Sequence, residues 1–438
     1  MSIKDRLTKF TKRFKLDSHH AIERFGLFFG VLSLAGLLVL TTSGASAFVA
    51  GRAQLADTAL WTPSFTTSKT QLKGNVDGVY TNQPKNKTLV MMHFDDRAKI
   101  SYNASDYQAF LLGSNEQLKS EKLATPGVSG SFYVFGSTGY VGVLLEAKQP
   151  FEQQVLNLTL RAKAELTFSQ QQATGASTED VVGDASFAKF DQWRVFINPG
   201  ATGTKPLATL DAGNFDPARA FYEIALKNKE NAARTALDTK LAEMRTNLTQ
   251  ISSYTDDLAT TKVDGLFLHP PTVPTTVAGD EISGHSAAET TDKTSTLTLN
   301  AKSVVRGGFN FDWRSGNVYD GYLDGIVPKG KSYIEFLQAK AAETQGTDAS
   351  ASNGISDIQW TLSNGKSLTQ DYRTSDVTMR PLTTAMNNLS QAYQDYSTNK
   401  AQYQGTLLLE LLKLDVDLKD VRSNSTTNTG EGFLTIYR

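Results

Sequence analysis

The chain has 438 residues, 39% of them hydrophobic and 20% charged, with a formal net charge of −1 and no cysteine. So even a balance, without a basic stripe, excludes an electrostatic nucleic-acid binder. The absence of cysteine excludes a disulfide scaffold and thiol chemistry, leaving burial to hold the fold.

In residues 1–24, seven basic side chains against three acidic ones give a charge of +4, which leaves −5 on the rest. Phe25–Ala50 then runs for 26 residues without a charge. About 20 apolar residues at 1.5 Å each cross a bilayer core of about 30 Å, so this stretch reads as one transmembrane helix. Lys/Arg excess marks the cytoplasmic side, which places residues 51–438 outside the cytoplasm. The rival reading is a cleaved signal peptide, with Phe25–Leu40 as its apolar core and Ala45-Ser46-Ala47 as its cleavage site. A long leader, and apolar character that continues to Ala50, favour an uncleaved signal anchor. Export follows either way, and a large exported chain without cysteine points to a bacterium with one membrane.

Residues 51–85 read as a polar connector, with Trp61 at the membrane interface. From Thr88 the pattern switches to period two. Runs at 89–94, 107–113, 130–136, 140–147, 154–162 and 192–198 predict strands, and Gly136-Ser137-Thr138-Gly139 predicts a tight hairpin. Residues 86–214 are thus expected to form an antiparallel β-sandwich-like domain, with Gln170–Gly183 as a surface loop.

Asp216 and Pro217 supply an N-cap and a first helical residue. Leu237, Leu241, Met244, Leu248, Ile251 and Leu258 then follow a heptad seam across a helix of residues 216–260. A second helix, 381–422, carries Leu382, Met386, Leu389, Tyr393, Tyr396, Tyr403, Leu407, Leu411, Leu414, Leu418 and Val421. Its spacing shifts between Tyr403 and Leu407 as a stutter would, and Gly405 lies inside the shift. Asp415, Asp417, Lys419 and Asp420 fall off this stripe. Matched lengths predict a coiled-coil-like antiparallel pair within the chain, although such seams also suit a homo-oligomer. Residues 263–380 would form an α+β insert carried at the far end of this stalk, as a distal head. Within it, 295–305 and 307–313 alternate as strands, 331–343 reads as a helix, and 355–370 as a hairpin turning at Asn364-Gly365. The final run, 432–438, reads as a strand returning to the first β-domain. The expected class is α+β.

Catalytic signatures are absent. His93 alternates inside a strand, and His269 and His285 lack the partners that zinc requires. No Gly-x-Ser-x-Gly elbow and no phosphate-binding loop occurs. Asp95 and Asp96 adjoin on a strand end and point to opposite faces, so they do not form a glycosidase pair. No cofactor is expected. One surface stands out: Trp313, Tyr319 and Tyr322 cluster with Arg314, Asn317 and Asp320, the mixture of aromatic faces and short polar groups that recognises glycans or peptides. The expected function is a non-enzymatic, membrane-anchored scaffold, assembly or adhesion protein of a bacterial envelope, with other envelope proteins or a cell-surface ligand as partners. The alternative is a cell-wall or glycan receptor using the aromatic cluster.

Overall fold

The computed structural model describes residues 55–95, 98–115, 117–163, 166–168, 186, 189–291, 293–345, 355, 358–372, 377–430 and 432–437. Phe25–Ala50, Ala45-Ser46-Ala47 and Gln170–Gly183 lie outside these residues. No described helix is long and apolar enough to cross a membrane. The fold is α+β, with antiparallel sheets and two long helices. It divides into two compact units, one comprising the described residues up to Tyr133, Val141–Gly213 and the segment from Thr427, the other Val134–Tyr140 with Asn214–Thr426.

The sheets are built from β1 (Ser64–Thr66), β2 (Lys73–Thr81), β3 (Lys87–Phe94), β4 (Tyr107–Ser114), β5 (Ser129–Val134), β6 (Tyr140–Glu146), β7 (Val155–Ala162), β8 (Asp191–Ile197), β9 (Thr426–Asn428) and β10 (Leu434–Ile436). The largest sheet runs β1-β2-β3-β6-β5-β9 and the second largest β8-β7-β4-β10, each with one further two-residue strand off that path. In the second sheet β7 pairs antiparallel with both β4 and β8, in unbroken register from Tyr107↔Ala162 and Asp191↔Ala162. Side chains alternate across a strand, so this register puts Tyr107, Ala109, Leu111, Leu158, Leu160, Trp193, Val195 and Ile197 on one face. All are buried. Trp193 stacks on Phe65 at 5.5 Å and meets the edge of Phe94 at 5.2 Å, and Tyr107 meets Phe132 at 4.6 Å. These rings come from both sheets, which pack as a sandwich.

The connector expected over 51–85 is part of this unit instead, since β1 and β2 lie within it. Gly74 and Gly78 hide the alternation of β2, whose burial still changes almost residue by residue. Gly74 is needed for close packing: a Cβ there would lie 2.3 Å from the Phe65 ring. The chain end does return to this unit. β10 pairs in parallel with β4, Leu434 opposite Ala109, and Phe433 is buried against Phe132 at 5.7 Å.

In the second unit Asp216 caps the first long helix, accepting from Ala218 N at 2.9 Å and Arg219 N at 3.1 Å. Pro217–Phe221 leads through a π-helical turn, Tyr222–Leu226, into Lys227–Thr260. The second long helix comprises Arg380–Ala401, a π-helical turn at Gln402–Leu407, and Leu408–Asn424. The two run antiparallel: Lys240 Nζ reaches Asn399 Oδ1 at 3.0 Å and Asn399 Nδ2 reaches Asn247 Oδ1 at 2.9 Å, while Asp420 accepts from Ser137 N beside Phe221, whose ring stacks on Phe135.

The second π-turn sits where the stripe changes register. One extra residue in a helical turn rotates everything after it, so Leu408, Leu411, Leu412, Asp415, Leu418 and Val421 are buried, and Leu407 and Leu414 only half-buried. Asp415, expected off the stripe, is inside it. In the first helix Asn247 takes a buried place and Leu248 is half-buried.

The segment expected as a distal head lies along the helices instead. Residues between 276 and 324 bond to side chains from Asp216 to Arg245 and from Ser397 to Arg422. Its polar groups find partners along both of these stretches, which a head confined to one end does not reach. Residues 307–313 form no strand: Gly307 turns at φ 70°, and Phe309 N donates to Gln404 O at 3.0 Å, a carbonyl in the π-turn. The remaining strands are short, Glu281–Ser283 paired with Thr298–Asn300. Tyr333–Gln345 is helical as expected. Asn364-Gly365 turns the chain, with Gly365 at φ 80° and Thr361 bridged to Ser367.

Candidate functional site

The six residues of the aromatic cluster are brought together, but chiefly for packing. Trp313 is 3% exposed and Tyr322 6%. Trp313 Nε1 donates to Tyr403 Oη at 2.9 Å. The Arg314 guanidinium lies over the Trp313 ring at 4.3 Å, bonds the carbonyls of Ser295 and Leu297 at 2.9 Å each, and pairs with Asp238. Asn317 and Asp320 close a local turn, Asn317 Nδ2 donating to Asp320 Oδ2 at 2.6 Å and Asp320 N to Asn317 Oδ1 at 2.9 Å. Tyr319 is half-buried, with the guanidinium of Arg219 at 4.4 Å and that of Arg422 at 4.7 Å from its ring centre. The rings of Trp313 and Tyr322 therefore present no stacking platform to a ligand. Indole and phenol carry large apolar area and one polar atom each, and both needs are met inside the unit.

Below this cluster sits a buried carboxylate. Glu230 is 2% exposed. It accepts from Arg234 Nε at 2.9 Å, from Tyr222 Oη at 3.0 Å and from Val318 N at 3.2 Å. Arg234 also bonds Gly316 O and Tyr322 Oη. Burial, then the Glu230 charge, pushes the Tyr222 phenol up to about 12. Burial likewise raises Tyr322, so both hydroxyls stay protonated as donors. Nearer the chain end, Asp415 Oδ2 accepts from Tyr322 N at 2.8 Å and Leu323 N at 2.7 Å, while Oδ1 is buried without a hydrogen-bond partner.

A third polar site ties residues 276–303 to the second helix. Lys400 Nζ and Asp280 Oδ2 meet at 2.6 Å with both side chains wholly buried. Nothing in the sequence patterns marks this pair, because Asp280 lies in a loop and a lysine in a helix is normally solvated.

Between the long helices runs an open groove of about 410 Å³, lined by Glu243, Thr246, Asn247, Gln250, Asp395, Thr398 and Asn399. It has amides and two carboxylates but no aromatic wall, which makes it a polar seam. Among the described residues no three His, Asp or Glu side chains gather as a metal site. His93 instead pairs with Asp77, Nδ1 to Oδ2 at 2.9 Å, on neighbouring strands. The chemistry these arrangements support is internal cross-bracing of helices and loops. No family model, no curated protein and no solved structure matches the chain.

Proposed function

We propose that this chain is a non-enzymatic, membrane-anchored scaffold or assembly protein of a bacterial cell envelope, holding its body outside the cytoplasm. The observation that carries the proposal is the 26-residue uncharged stretch behind a tail of charge +4, which has the length and flanking charge of a signal anchor. The use of polar groups in the second unit supports it. Arg234, Arg314 and Lys400 each bond two or more partners of the same chain, as suits a body that presents surfaces in fixed positions. Packing of the helical seams on each other within the chain supports partners that engage other surfaces. The fitting partners are other envelope proteins, as in a secretion or conjugation machine, or a cell-surface ligand.

Because the chain has no cysteine, introduced cysteines report topology cleanly. In intact cells a membrane-impermeant maleimide is expected to label Ile334→Cys, at a position 52% exposed. It should label Ser18→Cys only after permeabilisation. Labelling of Ser18→Cys in intact cells, or release of the body into the medium, overturns the anchored orientation.

A further inference from the structure

The Lys400–Asp280 contact is more than close. Besides Asp280 Oδ2, Nζ donates to Thr276 O at 2.9 Å and to Ser303 Oγ at 3.1 Å. Both carboxylate oxygens are held. Oδ2 accepts the Tyr396 hydroxyl at 2.7 Å, and Oδ1 accepts the Lys302 backbone N–H at 2.8 Å. Tyr396 is fully buried, and burial together with Asp280 keeps its phenol protonated and donating. Charges so placed have lost their water, and mutual attraction rarely repays that loss in full. An uncharged product of the same two groups would escape the penalty.

We propose that Lys400 and Asp280 join in the folded protein as an intramolecular amide crosslink. Transfer of a proton from the ammonium to the carboxylate leaves an amine beside an acid. The amine lone pair attacks Cγ, forming the Nζ–Cγ bond, and charge develops on Oδ1, where the Lys302 N–H already points. The Cγ–Oδ2 bond then breaks. Oδ2 leaves as water, carrying two protons given up by Nζ and relayed through the Tyr396 hydroxyl, which ends unchanged. One ammonium and one carboxylate thus become one amide and one water, with no oxidant, metal or cofactor consumed. Reactants fixed in contact reach effective concentrations of about 10⁵–10⁸ M, which drives a condensation that dilute amines and acids do not undergo. In the product Oδ1 keeps its bond to Lys302 N–H, and the amide N–H keeps an acceptor in Thr276 O or Ser303 Oγ. The two residues are 120 apart in sequence. In a chain without cysteine, such a link restricts the unfolded state as a disulfide does elsewhere, pinning residues 276–303 to the second long helix. The inference does not depend on the membrane reading.

Mass spectrometry of the full-length chain, extracted in detergent and denatured, tests it. The expected wild-type mass is one water below the sequence mass. Fragmentation of a digest is expected to find a branched peptide joining the segments that contain Asp280 and Lys400. The link should survive hydroxylamine, which opens succinimides formed by water loss at Asp-Gly pairs such as Asp264-Gly265. Asp280→Ala and Lys400→Met are expected at full sequence mass. Tyr396→Phe keeps the pair but should slow linkage about 10²-fold, so that unlinked chain accumulates. A wild-type chain at full mass without the branched peptide overturns the proposal, as does water loss mapped elsewhere. If Lys400→Met fails to fold, the wild-type mass decides alone. Equal linkage in Tyr396→Phe overturns the relay assigned to that hydroxyl.

Discussion

Asp415 shows how one residue's environment reverses its expected role. Burial raises its carboxyl above the usual range, and the N–H bonds from Leu323 and Tyr322 only partly oppose this. The folded state therefore holds the proton more tightly than the unfolded chain does. Stability from this group is full below the ordinary carboxyl range and is lost as pH rises through the raised value. Asp415→Asn is expected to melt higher than wild type at pH 7, with the gap closing in acid. A pH series of thermal melts on both proteins checks this. Trp313→Ala probes burial in the same way. With the indole buried and bonded to Tyr403, the change should cost about 3–5 kcal/mol in denaturant unfolding. If Trp313 served an external ligand instead, stability would be nearly unchanged. Trp313, Arg314, Asn317, Tyr319, Asp320 and Tyr322 lie near one another because they are neighbours in the chain. Whether they face solvent depends on Tyr403, Asp238, Glu230 and Arg234, which are remote in sequence.

At the scale of elements, the register shift in the second helix was legible as broken heptad spacing, and the structure supplies its form as a π-turn. Gly405 is not its cause. The Gln404 carbonyl bonds the Phe309 N–H and the Gln404 side-chain Oε1 accepts from Val305 N at 2.9 Å, so partners outside the helix hold the turn. A Cβ on Gly405 would meet nothing within 4 Å. Gly405→Ala is therefore expected to stabilise the protein by about 0.5–1 kcal/mol through lower unfolded-state entropy, measurable as a raised melting temperature. A loss of stability would mean that the turn needs the glycine. The other π-turn, Tyr222–Leu226, left no such trace, because it precedes the heptad seam and interrupts no repeat. Likewise β2 escapes a period-two reading because two glycines dilute its alternation, while β4, β7 and β8, rich in Leu, Val and Phe, show it plainly.

For the whole molecule, the strand-forming unit is closed by the far end of the chain. Phe433 is 1% exposed and β10 covers the edge of β4. Phe433→Ala should destabilise that unit by about 3–5 kcal/mol. Hydrogen exchange is expected to show lost protection at Ala109 and Leu111, which face β10 in the sheet. Unchanged protection there would mean that β4 is held without its partner. Sequence alone reached this closure from the antiparallel course of two matched helices, which returns the chain to its starting end. Helix length says nothing about what lies along the outside of a pair, so the position of residues 263–380 is not legible in it.

The α+β class, the principal strands and both long helices with their antiparallel pairing are readable from the chain before it folds. Each is written in local periodicity, cap residues or length. Tertiary structure alone decided which polar groups are buried, and with what: Asp415 under Tyr322, Glu230 under Arg234, Lys400 against Asp280. Burial of a charge is settled by groups brought from distant parts of the chain, and no local pattern carries that information.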